Sequence, residues 1–456
     1  MSNFLLNRGL LFVGVLAVLS IGAEDRPLLA PTPPMGWNSW DSYGTSVTEA
    51  DVKANAEYMA AHLKAFGWTY VVVDEGWFVR KAAQEGNPKS AQYSLDESGR
   101  YVPDPDRFPS AAKGAGFKPL ADYVHALGLK FGIHILRGIP KQAVEENLPI
   151  AGSTYRASAA ASRADPCPWN EDNDGTDSAS PAAQAYYDSI AQLYANWGVD
   201  FVKADCIASR PYKGDDIRML SAALRKTGRP IVLSLSPGEA PVEKIAELRS
   251  YAEMWRISDD VWDLWHGEAS FPQGVNDQFP RAGKWAGLSQ PGKWPDADML
   301  PLGYLGPRPG WGDKPRQTRL THDEQRMLMT LWCMFRSPLM MGGNLPQSDD
   351  WTLSLLTNPE VLEVDQHSSD SHEAIATAEV VVWTARAAED RKFYVAVFNR
   401  GETEQHIRYE WSKLGLSGEK YVLRDLWERK ELGQSPSLDV RLKPHSSLLY
   451  SLATSN

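Results

Sequence analysis

The sequence predicts an α/β fold, a (β/α)8 barrel followed by an antiparallel β-sandwich. Three observations point there. Eight short apolar runs alternate with amphipathic stretches from residue 34 to residue 343, the pattern of βα units around a parallel sheet. Several of the runs end in acids, as strands do when their C-terminal ends open on a barrel's active face. After residue 364 the runs become alternating β-type segments with turn residues between them and no long helix.

The eight barrel strands are read, in order, at 35–40 (MGWNSW), 70–75 (YVVVDE), 130–135 (KFGIHI), 200–205 (DFVKAD), 230–236 (PIVLSLS), 254–258 (MWRIS), 294–300 (WPDADML, the weakest) and 337–343 (SPLMMGG). Helices are read at 48–63, 119–128, 182–198, 215–228, 241–252 and 321–335, with acids early and several closing at glycine, which suits the helix dipole and the left-handed C-cap. The sandwich strands are 379–388, 391–401, 404–411, 421–427, 437–444 and 446–452, and the polar VDQHSSDSHEA reads as the linker. The domains are therefore 24–364 and 365–456.

Residues 1–23 carry Arg8, an apolar run from Gly9 to Ile21 and small residues at Gly22 and Ala23. That is a secretory signal rather than a span of about 20 apolar residues, so a secreted or periplasmic protein with no membrane contact after cleavage is expected. A net charge of -11 argues against nucleic acid as a partner, because the phosphate backbone needs a positive surface. The 17 Trp and 17 Tyr exceed what a core needs. Flat aromatic faces suit sugar rings, although a large barrel also uses Trp as filler. Three cysteines, Cys167, Cys206 and Cys333, are too few for a disulfide framework, and their odd number leaves at least one thiol.

The acids come from four strand ends: Asp74 and Glu75, then Asp205, then Asp259 and Asp260, then Asp296 and Asp298. Convergent carboxylates suit hydrolysis of a glycoside, a divalent metal or recognition of a polyol. Lys203 and Arg256 lie beside them and would repel a cation, so no metal is expected. Retaining hydrolysis needs an ionised carboxylate and a protonated one about 5 to 5.5 Å away. Asp205, two residues from Lys203 on an alternating strand, shares its face with that ammonium and fits the nucleophile. A more sheltered carboxyl would keep the second proton, and Asp259, Asp260 and Asp263 compete for that part.

The series PPMGWNSWDSYG, VDEGW, KPLADYVHALGLKFGIH, WGVDFVKAD, MWRISDDVWDLW, WPDADML and RSPLMMGGNL resembles, in order and over most of the chain, glycoside hydrolase family 27, the α-galactosidase and α-N-acetylgalactosaminidase family. The resemblance implies a barrel with a β domain behind it, Asp205 as nucleophile and Asp260 as acid/base. It also implies a carbohydrate substrate held by Trp40, Asp74, Lys203 and Arg256, and no cofactor. Galactose-selective members carry two aspartates where this chain has Asp74 and Glu75. The longer Glu75 either crowds the sugar's C5 hydroxymethyl group, favouring β-L-arabinopyranose, or bonds the same hydroxyl from a shifted backbone. Ser236 stands roughly where N-acetylgalactosaminidases carry serine, which leaves room at C2, while Pro237 and Gly238 depart from both patterns. Many relatives carry a cysteine slightly later than Cys206, linked to the loop after the third strand; Cys167 lies in that region here, which leaves open whether Cys167 and Cys206 form a disulfide or stay as thiols. A catalytically dead carbohydrate-binding barrel is the alternative of another class.

Overall fold

The computed structural model describes residues 28–82, 91–389 and 391–454; the leader read at 1–23 lies outside them. Eight parallel strands run β1 (Met35–Asn38), β2 (Tyr70–Val73), β3 (Lys130–Leu136), β4 (Phe201–Asp205), β5 (Val232–Leu235), β6 (Met254–Arg256), β7 (Trp294–Asp296) and β8 (Leu339–Met341). Their order in space is β7-β6-β5-β4-β3-β2-β1-β8. A parallel bridge from Leu300 to Met341 joins the two edges and closes the barrel. Every strand expected is present, usually shorter, because each chain turns away once it reaches the active face.

Strand alternation decides what points inward. Tyr70, Val72, Phe201, Val232, Met254, Trp294 and Met340 form the barrel's internal apolar layer. Val71, Val73, Phe131, Ile133, Val202, Ala204, Leu233 and Leu235 face the surrounding helices. Continuing the inward parity past the apolar layer turns Asp74, His134, Lys203, Asp205, Ser236, Arg256 and Asp296 into the barrel on the side of its C-terminal strand ends. Gly76 allows the chain to leave β2 so sharply: its φ is +82°, and a Cβ there would meet the Thr45 side chain at 2.7 Å.

The helices α1 (Glu49–His62), α2 (Lys118–Ala126), α3 (Pro181–Trp197), α4 (Gly214–Lys226), α5 (Ile245–Tyr251), α6 (Gln278–Trp285) and α7 (His322–Phe335) follow the strands. Thr48 with Asp51 and Thr321 with Glu324 form reciprocal caps on α1 and α7. Ser180 caps α3, whose other end stops at left-handed Gly198. The short α6 is absent from the sequence reading, because a loop of some twenty residues separates it from β6.

Behind the barrel stand β9 (Ser369–Ala376), β10 (Val380–Arg386), β11 (Lys392–Asn399), β12 (Gln405–Glu410), β13 (Tyr421–Asp425), β14 (Lys430–Ser435), β15 (Ser437–Leu442) and β16 (Ser446–Thr454). Six make an antiparallel sheet in the order β9-β10-β11-β16-β13-β14, and β12 pairs with β15. Val382, Val395, Val397, Ile407, Trp411, Leu438 and Leu452 fill the space between the two sheets. The sheet's other face packs on α7, with Phe335 edge-on to Trp383. The segment read as a polar linker is instead the end of the helix Pro359–His367 and strand β9. β9 and β14 escape the sequence reading because both are largely exposed edge strands and carry no apolar alternation. Among the described residues no helix is long and apolar enough to cross a membrane.

Candidate active site

A cavity of about 470 Å³ opens at the C-terminal ends of the barrel strands. Asp74, Glu75, Lys203, Asp205, Asp259, Asp260 and Trp40 all line it. The acids of three strand ends therefore meet as expected, but those of β7 do not. Asp296 and Asp298 lie below the cavity floor, buried behind Arg256.

Asp205, at the end of β4, accepts from His134 Nε2 at 3.1 Å and from the Cys206 N–H at 2.6 Å. Burial pushes its carboxyl up, but His134, Lys203 and the Cys206 amide outweigh burial and hold it below the ordinary aspartate range. The nearest cation is thus His134 rather than the lysine expected. Lys203 Nζ donates to Asp74 Oδ2 at 2.8 Å, where Asn38 Nδ2 also donates at 2.6 Å. With these partners Asp74 is driven well below the usual carboxylate range despite its burial. Burial opposes charge on His134, and the charges of Asp74 and Asp205 prevail, so the imidazole titrates above the usual histidine value. The sequence signal for His134 was its inward parity in KFGIHI, which puts it in register with Lys203.

Replacing His134 with Phe should remove a proton donor and a charge from beside Asp205, letting that carboxyl rise. The acid limb of the pH profile of kcat/KM is expected to move to higher pH. An unmoved limb would mean that His134 does not set the charge of Asp205.

The three acids after β6 differ in their partners. Asp263 is buried beneath a two-pronged contact from Arg316, at 2.6 and 3.0 Å, and leaves the cavity. Asp259 pairs with Arg210 at the rim. Asp260 Oδ1 accepts from Arg256 Nη2 at 3.2 Å and its side chain opens into the cavity. The sheltered second carboxyl is not what the structure has: Asp260 is 25% exposed against 12% for Asp205. It sits beyond the strand, on the loop into α6, where the barrel wall no longer covers it.

Two expected sugar contacts lie elsewhere. Arg256 is buried under the floor, with Nη1 2.6 Å from Asp298 and Nη2 on Asp260, so it holds a carboxyl rather than lining the cavity. Ser236 is buried and the adjacent Pro237 lines the cavity instead. Glu75 is half-buried, accepts from Asn170 Nδ2 at 2.7 Å, and is pushed up to about 8 by burial and by the neighbouring Asp172 and Asp205 charges. Near neutral pH it is therefore a donor as well as an acceptor.

Most of the tryptophan surplus is core: Trp37, Trp68, Trp77, Trp255, Trp285, Trp294, Trp332, Trp383 and Trp411 are fully buried. The sequence reading missed the rim. Trp169, Phe271 and Trp311, exposed by 46, 37 and 50%, come from three separate loops and ring the mouth. Trp311 stands edge-on to Trp40 with ring centres 5.9 Å apart. Cys167 and Cys206 are joined in a disulfide, and Cys333 is a buried free thiol. The bond ties the loop that carries Trp169 and Asn170 to the residue after Asp205. Among the described residues no cluster of His, Cys, Asp or Glu has a metal-binding arrangement.

Residues 32–143 and 170–367 match the family described as Alpha galactosidase A, and residues 377–452 match the Alpha galactosidase C-terminal beta sandwich domain. A solved structure of a family 27 β-L-arabinopyranosidase from Geobacillus stearothermophilus, in complex with arabinose, is 48% identical. That alignment covers 94% of this chain and 98% of the other, with a TM-score of 0.89. An alpha-galactosidase of Cyamopsis tetragonoloba is 28% identical over 93% of this chain and 87% of that protein. An alpha-N-acetylgalactosaminidase of Gallus gallus is 27% identical over 88% of each. With barrel, carboxylates and sandwich in the family's order, the chain belongs to the α-galactosidase family, glycoside hydrolase family 27, and is a retaining glycoside hydrolase.

Proposed function

We propose that the chain releases a terminal α-D-galactosyl unit by double displacement, with Asp205 as nucleophile and Asp260 as acid and base. The observation that carries this reading is the pair of carboxyls on one cavity with unlike surroundings. Asp205 is held ionised by His134 and Lys203, while Asp260 lines the same cavity from the loop beyond β6. Asp205 attacks the anomeric carbon as Asp260 protonates the leaving oxygen, and Asp260 then takes a proton from the water that attacks the glycosyl-enzyme. Asp74 and Lys203 would bind ring hydroxyls through charge-assisted hydrogen bonds, with Trp40 as the apolar wall. The rim of Trp169, Phe271 and Trp311 suits the leaving group. The apolar run from Gly9 to Ile21, read as a secretory leader, supports a secreted or periplasmic destination.

A second reading is favoured by one side chain. β-L-Arabinopyranose has the galactose stereochemistry without the hydroxymethyl group, and Glu75, one methylene longer than the aspartate of galactose-selective relatives, lines the cavity. The 48% identical Geobacillus protein supports it. Rates on the nitrophenyl α-D-galactoside, β-L-arabinopyranoside and N-acetyl-α-D-galactosaminide, measured side by side, separate the readings. Glu75→Asp is expected to raise the galactoside rate relative to the arabinopyranoside by about 10- to 200-fold, the usual worth of one methylene. An unchanged ratio would clear Glu75 of any part in choosing the glycone, and no release from any of the three would reject the proposal.

A further inference from the structure

The loop between β6 and α6 carries Asp260, and it reaches from the cavity to the sandwich. At the cavity end the Gln273 N–H donates to the Asp260 carbonyl at 2.9 Å, and the Trp262 N–H donates to Gln273 at the same distance. At the far end the Asn276 N–H donates to the Trp265 carbonyl and the Val275 N–H to Leu264, both at 2.9 Å. Asp277 fastens the intervening turn by accepting from the Gly267 and Gly274 amides at 2.7 and 2.8 Å. The loop is thus a small laced body rather than a loose crossing.

Its far end is gripped from the sandwich by two side chains. The His445 ring, from the turn before β16, stacks on Trp265 with centres 3.9 Å apart and planes 20° off parallel. His445 is itself aimed by Glu324, 2.9 Å from Nδ1, whose other oxygen caps α7. Arg400, just after β11, donates from Nε to Asn276 Oδ1 at 2.6 Å and lies over Phe279 of α6 at 4.7 Å. Both grips fall on residues 265 and 276, the pair that closes the loop opposite Asp260.

We propose that His445 and Arg400 are positioning residues for Asp260, so that the β-sandwich holds the acid/base carboxyl in place. The inference rests on Asp260 being that acid/base. Asp298, which accepts from the Val261 N–H at 2.7 Å, and Arg316 on Asp263 restrain the near end from the barrel. The sandwich fixes the far end, so releasing it lets the laced body tilt about those barrel contacts. A tilt that displaces a catalytic group by about 1 Å can cost a hundredfold.

The test uses leaving-group dependence, which a loss of bulk packing would not change. The full-length double variant His445→Asn/Arg400→Met removes the ring and the guanidinium. Asn tolerates the positive φ of 51° at 445, and Met keeps the stem over Phe279. For the fastest-cleaved glycone, kcat/KM is measured on the methyl glycoside, which needs protonation to depart, and on the 2,4-dinitrophenyl glycoside, which does not. The expected result is a loss of about tenfold on the methyl glycoside and less than about twofold on the dinitrophenyl glycoside. Equal losses on both, or none, would overturn the proposal. If the double variant does not fold, Arg400→Met alone is held to the same criterion. Asp260→Ala serves as the reference: a loss concentrated on the methyl glycoside supports the acid/base assignment even if the double variant is unaffected, whereas equal losses there reject assignment and brace together.

Discussion

Asp205→Asn is expected to leave the fold intact and abolish turnover, with kcat falling by at least ~10⁴-fold. An amide of the same shape can still accept the Cys206 N–H. The thermal midpoint should therefore stay within a few degrees of the parent protein, about what a change of 1 kcal/mol would give. What disappears is the electron pair that attacks the anomeric carbon. Its replacement by the amide leaves Asp260, Lys203 and the aromatic rim with a sugar to hold and no covalent step to assist. Activity within tenfold of the parent would place the nucleophile elsewhere in the cavity.

Asp260→Ala should be almost as damaging, but selectively. On glycosides with poor leaving groups the loss is expected to be about 10²- to 10⁴-fold, the usual worth of a positioned acid. On the dinitrophenyl glycoside the first step should survive while the second stalls for want of a base, so that a burst of dinitrophenol precedes slow turnover. Azide, a small anion that needs no deprotonation, should enter the vacated space and restore turnover, giving a glycosyl azide of retained configuration. Azide without effect, on a variant that still releases the burst, would move the base function to another residue, with Asp259 the nearest candidate on the same loop.

The fold was legible because its signals are local. Period-two runs such as YVVV and FVKAD, helices framed by Thr48, Ser180 and Thr321 caps, and acids at strand ends each depend on neighbours within a few positions. Where an element lacked an apolar face, as in the edge strands β9 and β14, or stood behind a long loop, as in α6, there was no such signal. Within the site, Asp74, Lys203 and Asp205 could be placed from strand parity. His134 obeyed the same parity but was passed over, because a lone histidine in an apolar strand does not announce which carboxylate it faces. Arg256 shows the opposite failure: parity correctly turned it inward, yet its depth below the floor depends on how far β6 extends relative to β4 and β7.

The sequence by itself determined a (β/α)8 barrel, a trailing β-sandwich and the strand-end carboxyls, because alternation and capping are written residue by residue. Only the tertiary structure separated Asp263, which leaves the cavity, from Asp259 and Asp260, which line it, since that depends on Arg210, Arg256 and Arg316, drawn from three different parts of the chain. It also decided that aromatic side chains from three loops ring one mouth, that Cys167 reaches Cys206, and that His445 meets Trp265. Contacts between residues on different strands and loops are set by how strands curl and loops cross, and no local pattern encodes that geometry.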